Sequence, residues 1–257
     1  MIILNYKLYG VLDHSPPVVM LHGLLGSLDN WNSQAKKLSS YRSVISVDLR
    51  NHGDSPHVKG MSYREMAEDI ITLLSYLNIK HCYLMGHSMG GKVAMTLALN
   101  FPEIVNKLLV VDIAPKAYKP RHLRILQGMS SLPLSEIKTR KEADICLSDW
   151  ISTSVERGFL LKNLKYSQNG FYWQCDLAEI TKNYLKISGF SVKKGSTYLK
   201  ETLFIVGGQS DYIQPEDSQL IQQYFPVANI QVLKQAGHLP HVEDVDNFYH
   251  RMKKFFL

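Results

Sequence analysis

Cys82-Tyr-Leu-Met-Gly-His-Ser-Met-Gly-Gly-Lys-Val-Ala-Met-Thr-Leu-Ala-Leu99 joins two apolar patterns through a glycine-flanked serine. Cys82–Met85 is a short unbroken apolar run closed by glycine, the pattern of a strand buried on both faces. Val93, Leu97 and Phe101 recur every four residues, the pattern of a helix. Between them, Gly86-His-Ser-Met-Gly90 fits G-x-S-x-G in the strand–turn–helix context of a nucleophile elbow, a turn sharp enough to expose a serine hydroxyl. A helix N-terminus behind Ser88 favours negative charge developing there. An ordinary strand-to-helix turn could use the same glycines, so the rest of the chain must supply the partners that chemistry at Ser88 would need.

Moving outward, similar apolar runs stand at Val18–Leu21, Val44–Val47, Leu108–Val111, Leu203–Val206 and Ile230–Leu233. Helix-length segments separate them, such as the one whose apolar face holds Met66, Ile70, Leu73, Leu74 and Leu77. This alternation predicts an α/β fold, a mostly parallel sheet flanked by helices, with its site at the carboxyl ends of the strands. The alternation stops near Pro115 and resumes near Thr202. Residues 115–201 are therefore expected to form a helical cap, inserted into a core made of residues 1–114 and 202–257. Within it, 135–150 and 152–165 read as helices. An apolar stripe of Leu123, Leu126 and Met129, joined by Trp150, is expected to line a substrate pocket, although a role in core packing alone would use the same stripe.

Composition narrows the class. The chain has 257 residues, 45% hydrophobic and 20% charged, enough to bury a full core without disulfides or structural metal. No apolar run reaches the ~20 residues of a membrane span. The first residues lack the charged start, long apolar stretch and cleavage site of a signal peptide. Cys82, Cys146 and Cys175 show no disulfide or metal-ligand spacing, which suits a reducing cytoplasmic setting. The net charge of +6 is uneven: residues 116–200 hold 15 Lys and Arg against 7 Asp and Glu, leaving the remainder slightly acidic. A cap of that charge could steer an anionic leaving group or be an ordinary solvated surface. Nucleic acid is not indicated, because no basic-aromatic repeat accompanies the charge.

A serine hydroxyl needs a base. Of ten histidines, His238 follows the last apolar run directly, with His241 its nearest rival; His22, His52 and His87 lie in loops at the same edge. Backbone N–H groups serve as oxyanion donors. The candidates are those of Met89, after the nucleophile, and of Leu24 in His22-Gly-Leu-Leu-Gly26, where His22 and Gly23 would also meet substrate. An acid must hold the histidine in the right tautomer. Asp112, at the end of Leu108–Val111, and Asp211, in Gly207-Gly-Gln-Ser-Asp-Tyr212, both satisfy the order Ser, Asp, His. Asp48 reads as a structural loop residue.

The set His22-Gly-Leu-Leu-Gly, Asp48-Leu-Arg-Asn-His-Gly-Asp-Ser, Gly86-His-Ser-Met-Gly-Gly and Gly237-His resembles the alpha/beta-hydrolase superfamily over nearly the whole chain. Leu24-Leu-Gly-Ser-Leu-Asp-Asn, Asp112-Ile-Ala-Pro, Gly207-Gly-Gln-Ser and Lys92 after the elbow are similar to the YbfF-type bacterial esterases and their mitochondrial relatives. The resemblance implies esterase activity on acyl esters and acyl-CoA thioesters. It also implies a Ser–Asp–Ser–His arrangement of Ser88, Asp112, Ser210 and His238, and so favours Asp112 as the acid. Asp211 departs from that pattern and fits the commoner acid position of the superfamily. No metal or organic cofactor is called for. The expected partner is a small acyl ester or acyl-CoA, met by a monomer or homodimer. A carbon–carbon bond hydrolase, a methyl-ester esterase and, from another class, a ligand-binding module without turnover are the alternatives. The presence of Ser88, His238 and an acid together weighs against the last.

Overall fold

The computed structural model describes residues 2–257. The strands are β1 (Tyr6–Tyr9), β2 (Val18–Leu21), β3 (Val44–Val47), β4 (Cys82–His87), β5 (Val105–Val111), β6 (Leu164–Ser167), β7 (Gly170–Trp173), β8 (Thr202–Gly207) and β9 (Ala228–Leu233). The helices are α1 (Asn32–Leu38), α2 (Tyr63–Tyr76), α3 (Met89–Asn100), α4 (Leu123–Ser130), α5 (Arg140–Ser148), α6 (Ser154–Leu160), α7 (Leu177–Ser188), α8 (Asp217–Tyr224), α9 (Pro240–Glu243) and α10 (Val245–Phe256). Seven strands form one sheet in the order β1-β3-β2-β4-β5-β8-β9. All of its pairs are parallel except β1–β3.

The central strands are buried on both faces, which is why they read as unbroken apolar runs. Leu84, Leu108 and Phe204 belong to one core with Ile70 of α2 and Val93 of α3, and Phe204 packs on Phe225 at the end of α8. Met85, Leu109 and Ile205 belong to the other, covered by α1 and α10 through Leu38 and Phe248. The antiparallel edge strand β1 escaped the sequence reading because Tyr6-Lys-Leu-Tyr is a short, half-exposed alternation.

Between β5 and β8 the expected helices α4, α5 and α6 appear, but the segment is not wholly helical. The stretch expected to be helix up to residue 165 turns into strand at Leu164, and β6 pairs with β7 as an antiparallel hairpin. The missed signal was Asn169-Gly170 between aromatic-rich flanks, one of the strongest local marks of a hairpin. Gly170 takes φ +99°, a conformation that penalises a side chain. Among the described residues no helix is long and apolar enough to cross a membrane.

Candidate active site

At the carboxyl end of β4 the backbone turns directly into α3, and Ser88 takes φ 51° at the junction. A β-carbon on Gly86 would lie 2.1 Å from the Gly90 oxygen, and one on Gly90 2.5 Å from the His22 oxygen. The two glycines are therefore what lets the chain reverse within one residue and aim the Ser88 side chain above the sheet.

His238 lies after β9, in a loop held by Glu243, which accepts hydrogen bonds from Gly237 N and Leu239 N. His87 Nε2 bonds the His238 carbonyl at 2.8 Å. The imidazole of His238 places Nε2 3.1 Å from Ser88 Oγ and Nδ1 2.7 Å from Asp112 Oδ2. Asp112 is fully buried at the end of β5, with φ 50°. Its carboxylate also accepts Gly207 N at 2.9 Å and the Ser210 hydroxyl at 2.5 Å. A carboxylate on Nδ1 holds the proton on that nitrogen and leaves the Nε2 lone pair facing Ser88. Asp211 lies elsewhere: its side chain is 70% exposed and pairs with Arg121. Of the two aspartates that chain order allowed, only Asp112 meets the histidine.

The loop after β2 presents Leu24 N, and α3 begins with Met89 N; neither N–H has a partner among the described residues. Two buried histidines brace this loop. His22 accepts Leu49 N through Nε2 and donates from Nδ1 to Gly23 O, while His52 accepts Leu25 N and donates to Arg50 O. Burial lowers their pKa values to about 4 and about 3, so both stay neutral. His22 was expected to meet substrate; with both ring nitrogens bound to backbone and no exposed surface, it supports the loop instead. Asp48 is likewise structural, accepting hydrogen bonds from Leu28 N, Asn5 and Asp54 N. His241 is buried against Trp31, ring centroids 4.5 Å apart, and does not reach Ser88.

A cavity of about 410 Å³ opens at Ser88, walled by Gly23, Leu25, Ile125, Phe159, Leu160 and Leu239. The expected stripe of α4 does not form this wall. Leu126 and Met129 are buried in the hydrophobic core, Trp150 packs on Gly128, and Leu123 is 50% exposed. The adjacent positions His122 and Ile125 face the cavity in their place. Helical spacing identified a face of α4 but not what that face would meet. Beyond His122 a narrower cavity of about 40 Å³ adjoins Ser88, lined by Tyr63, Lys92, Tyr118, Tyr184 and Tyr212. Lys92 is buried and donates to the Gly189 and Ser188 carbonyls at 2.7 and 3.2 Å, tying the end of α7 to the elbow helix. Burial lowers its pKa to about 7.

A family model described as the alpha/beta hydrolase fold matches residues 16–245. The chain belongs to this family. It is 39% identical over 258 residues to the sn-1-specific diacylglycerol lipase ABHD11 of Mus musculus, covering 96% of this chain and 84% of the relative. It is 32% identical over 243 residues to esterase YbfF of Escherichia coli (strain K12), covering 94% and 93%. A solved structure described as a marine microorganism esterase superposes with a TM-score of 0.95 at 36% identity, covering 99% of this chain and 100% of the other. This alpha/beta hydrolase thus stands among esterases and lipases, and is an enzyme of that hydrolase group.

Proposed function

We propose that the protein hydrolyses carboxylic esters, and acyl-CoA thioesters by the same route, through an acyl-enzyme on Ser88. The observation that carries the reading is the continuous Ser88–His238–Asp112 hydrogen-bond chain beside two unpartnered backbone N–H groups. Ser88 Oγ attacks the acyl carbonyl while His238 Nε2 takes its proton. Asp112 stabilises the imidazolium, with the Ser210 hydroxyl on the same carboxylate oxygen. Leu24 N–H and Met89 N–H receive the tetrahedral oxyanion, each such donor contributing ~3–4 kcal/mol in the transition state. His238 then protonates the departing alkoxide or thiolate and activates the water that frees the acyl group.

A fluorophosphonate probe should label the protein, and Ser88→Ala should abolish both labelling and hydrolysis of a p-nitrophenyl ester. Turnover surviving in that variant would exclude the serine route.

The larger cavity is proposed to take the acyl chain, because its walls are mainly apolar side chains. Ile125→Trp should then reduce kcat/KM for octanoyl substrates by about 10-fold or more relative to acetyl ones. The check is a chain-length series of esters and acyl-CoAs, and a uniform loss across the series would contradict the assignment.

A further inference from the structure

The imidazole of His238 does not stand free between Asp112 and Ser88. The Tyr212 ring lies parallel to it, centroids 3.7 Å apart and planes 11° from each other. Tyr212 is itself fixed on every side. Its N–H donates to Ser210 Oγ at 3.2 Å, and its carbonyl accepts the Tyr118 hydroxyl at 2.6 Å. Its hydroxyl lies 3.5 Å from His122 Nε2. The Arg121 guanidinium sits over the same ring, 4.8 Å from its centre, and is held there by Asp211 at 2.5 Å. Arg121 comes from the segment leading into α4, so the stack joins the inserted segment to the histidine of the core.

We propose that Tyr212 is a positioning residue for His238, its ring face holding the imidazole in plane and stabilising the imidazolium, and that Asp211 serves this stack by neutralising Arg121. The inference rests on the assignment of His238 as general base. A π face attracts a cation placed over it, so the stack favours the protonated ring that forms as Ser88 loses its proton. Arg121 draws on the same ring density and carries a like charge, so alone it would oppose that effect. Asp211 offsets it. The acidic residue that chain order offered as a triad member thus acquires a role two contacts away from the serine. Burial pushes the Tyr212 phenol up to about 12, so the ring stays neutral wherever the enzyme is assayed. The other groups around His238 are the Asp112 carboxylate, the hydroxyls of Ser88 and Ser210, the ring of His87, the His241 ring packed on His87, and the Glu243 carboxylate, which bonds the backbone on either side of it. His87 and His122 are kept neutral by burial.

The test is the pH profile of kcat/KM on a neutral p-nitrophenyl ester, whose acid limb reports loss of the proton from the free base. Tyr212→Leu should lower kcat by about 10-fold and move the acid limb down by about half a pH unit, the size of a lost cation–π contact. Tyr212→Phe should restore both. Asp211→Asn leaves Arg121 uncompensated and should also move the limb down. Arg121→Met removes the competing cation and should move it up. Thermal unfolding and fluorophosphonate labelling of each variant establish that it folds. Shifts of one sign in all three charge and ring variants, or an unmoved limb in Tyr212→Leu, would overturn the proposal. The base assignment fails separately, if Ser88→Ala or His238→Ala still turns over the ester.

Discussion

Asp112→Asn is expected to lower kcat by about 10⁴-fold, whereas Asp211→Asn changes it only a few-fold. The difference follows from what each side chain touches. The Asp112 carboxylate is the acceptor for His238 Nδ1, the Ser210 hydroxyl and Gly207 N together. An asparagine there keeps the shape but offers an NH₂ where one acceptor stood. The imidazole then keeps its proton on Nε2, the side facing Ser88, and loses its function as a base. It also loses the negative charge that stabilises the imidazolium. Asp211 pairs only with Arg121 at the surface, where an ion pair contributes little. Initial rates on a short-chain ester, normalised to the fraction of protein carrying a reactive serine, check both. Equal, mild effects would remove Asp112 from the proposed triad.

Acid should unfold this protein cooperatively between about pH 6 and pH 4. His22, His52 and His241 are buried and His122 is half-buried on the cavity wall, and desolvation lowers their pKa values to about 4, 3, 3 and 4 from an ordinary value near 6.5. The sign is fixed by proton counting. Below pH 6.5 the unfolded chain gains protons that the folded chain refuses, so stability is intact above that pH and falls as pH drops toward the folded values. Each unit of difference is worth about 1.4 kcal/mol. All four act in the same direction, against a typical domain stability of only about 5–15 kcal/mol. Far-ultraviolet circular dichroism against pH measures the midpoint. His241 offers a control, because its Nδ1 is buried without a partner and its ring packs on Trp31 and Phe248. His241→Phe should move the midpoint to lower pH. A fold intact at pH 3.5 would contradict the account.

What could be read directly from the residues was local or periodic. The elbow is a run of five positions whose first and last have no room for a β-carbon, so Gly86 and Gly90 around Ser88 announced both the fold and the serine. The central strands are apolar on both faces and were legible for that reason. The choice between Asp112 and Asp211 was not legible, because both follow strands and precede His238. It depends on which carboxylate the sheet brings to Nδ1, and that is a matter of strand order β4-β5-β8-β9 rather than of any neighbouring residue. The substrate wall failed differently. Leu123, Leu126 and Met129 have the spacing of a buried face, and two of the three are buried, but against the core. Tyr212 gave no signal at all, since stacking on a histidine 26 positions later leaves no trace in spacing.

The distribution of the site over the strand ends has a consequence for how this chain matures. Leu24, Ser88, Asp112, Ser210 and His238 follow five different strands, and the Asp112–His238 contact alone closes a loop of 126 residues. Contacts so distant in sequence form late in folding. Under the proposed mechanism, a chain emerging from the ribosome therefore holds Ser88 for most of its synthesis without the histidine that would arm it. Hydrolysis by that route would begin only when β9 and the loop beyond it have joined the sheet, so the appearance of activity would time the completion of the fold.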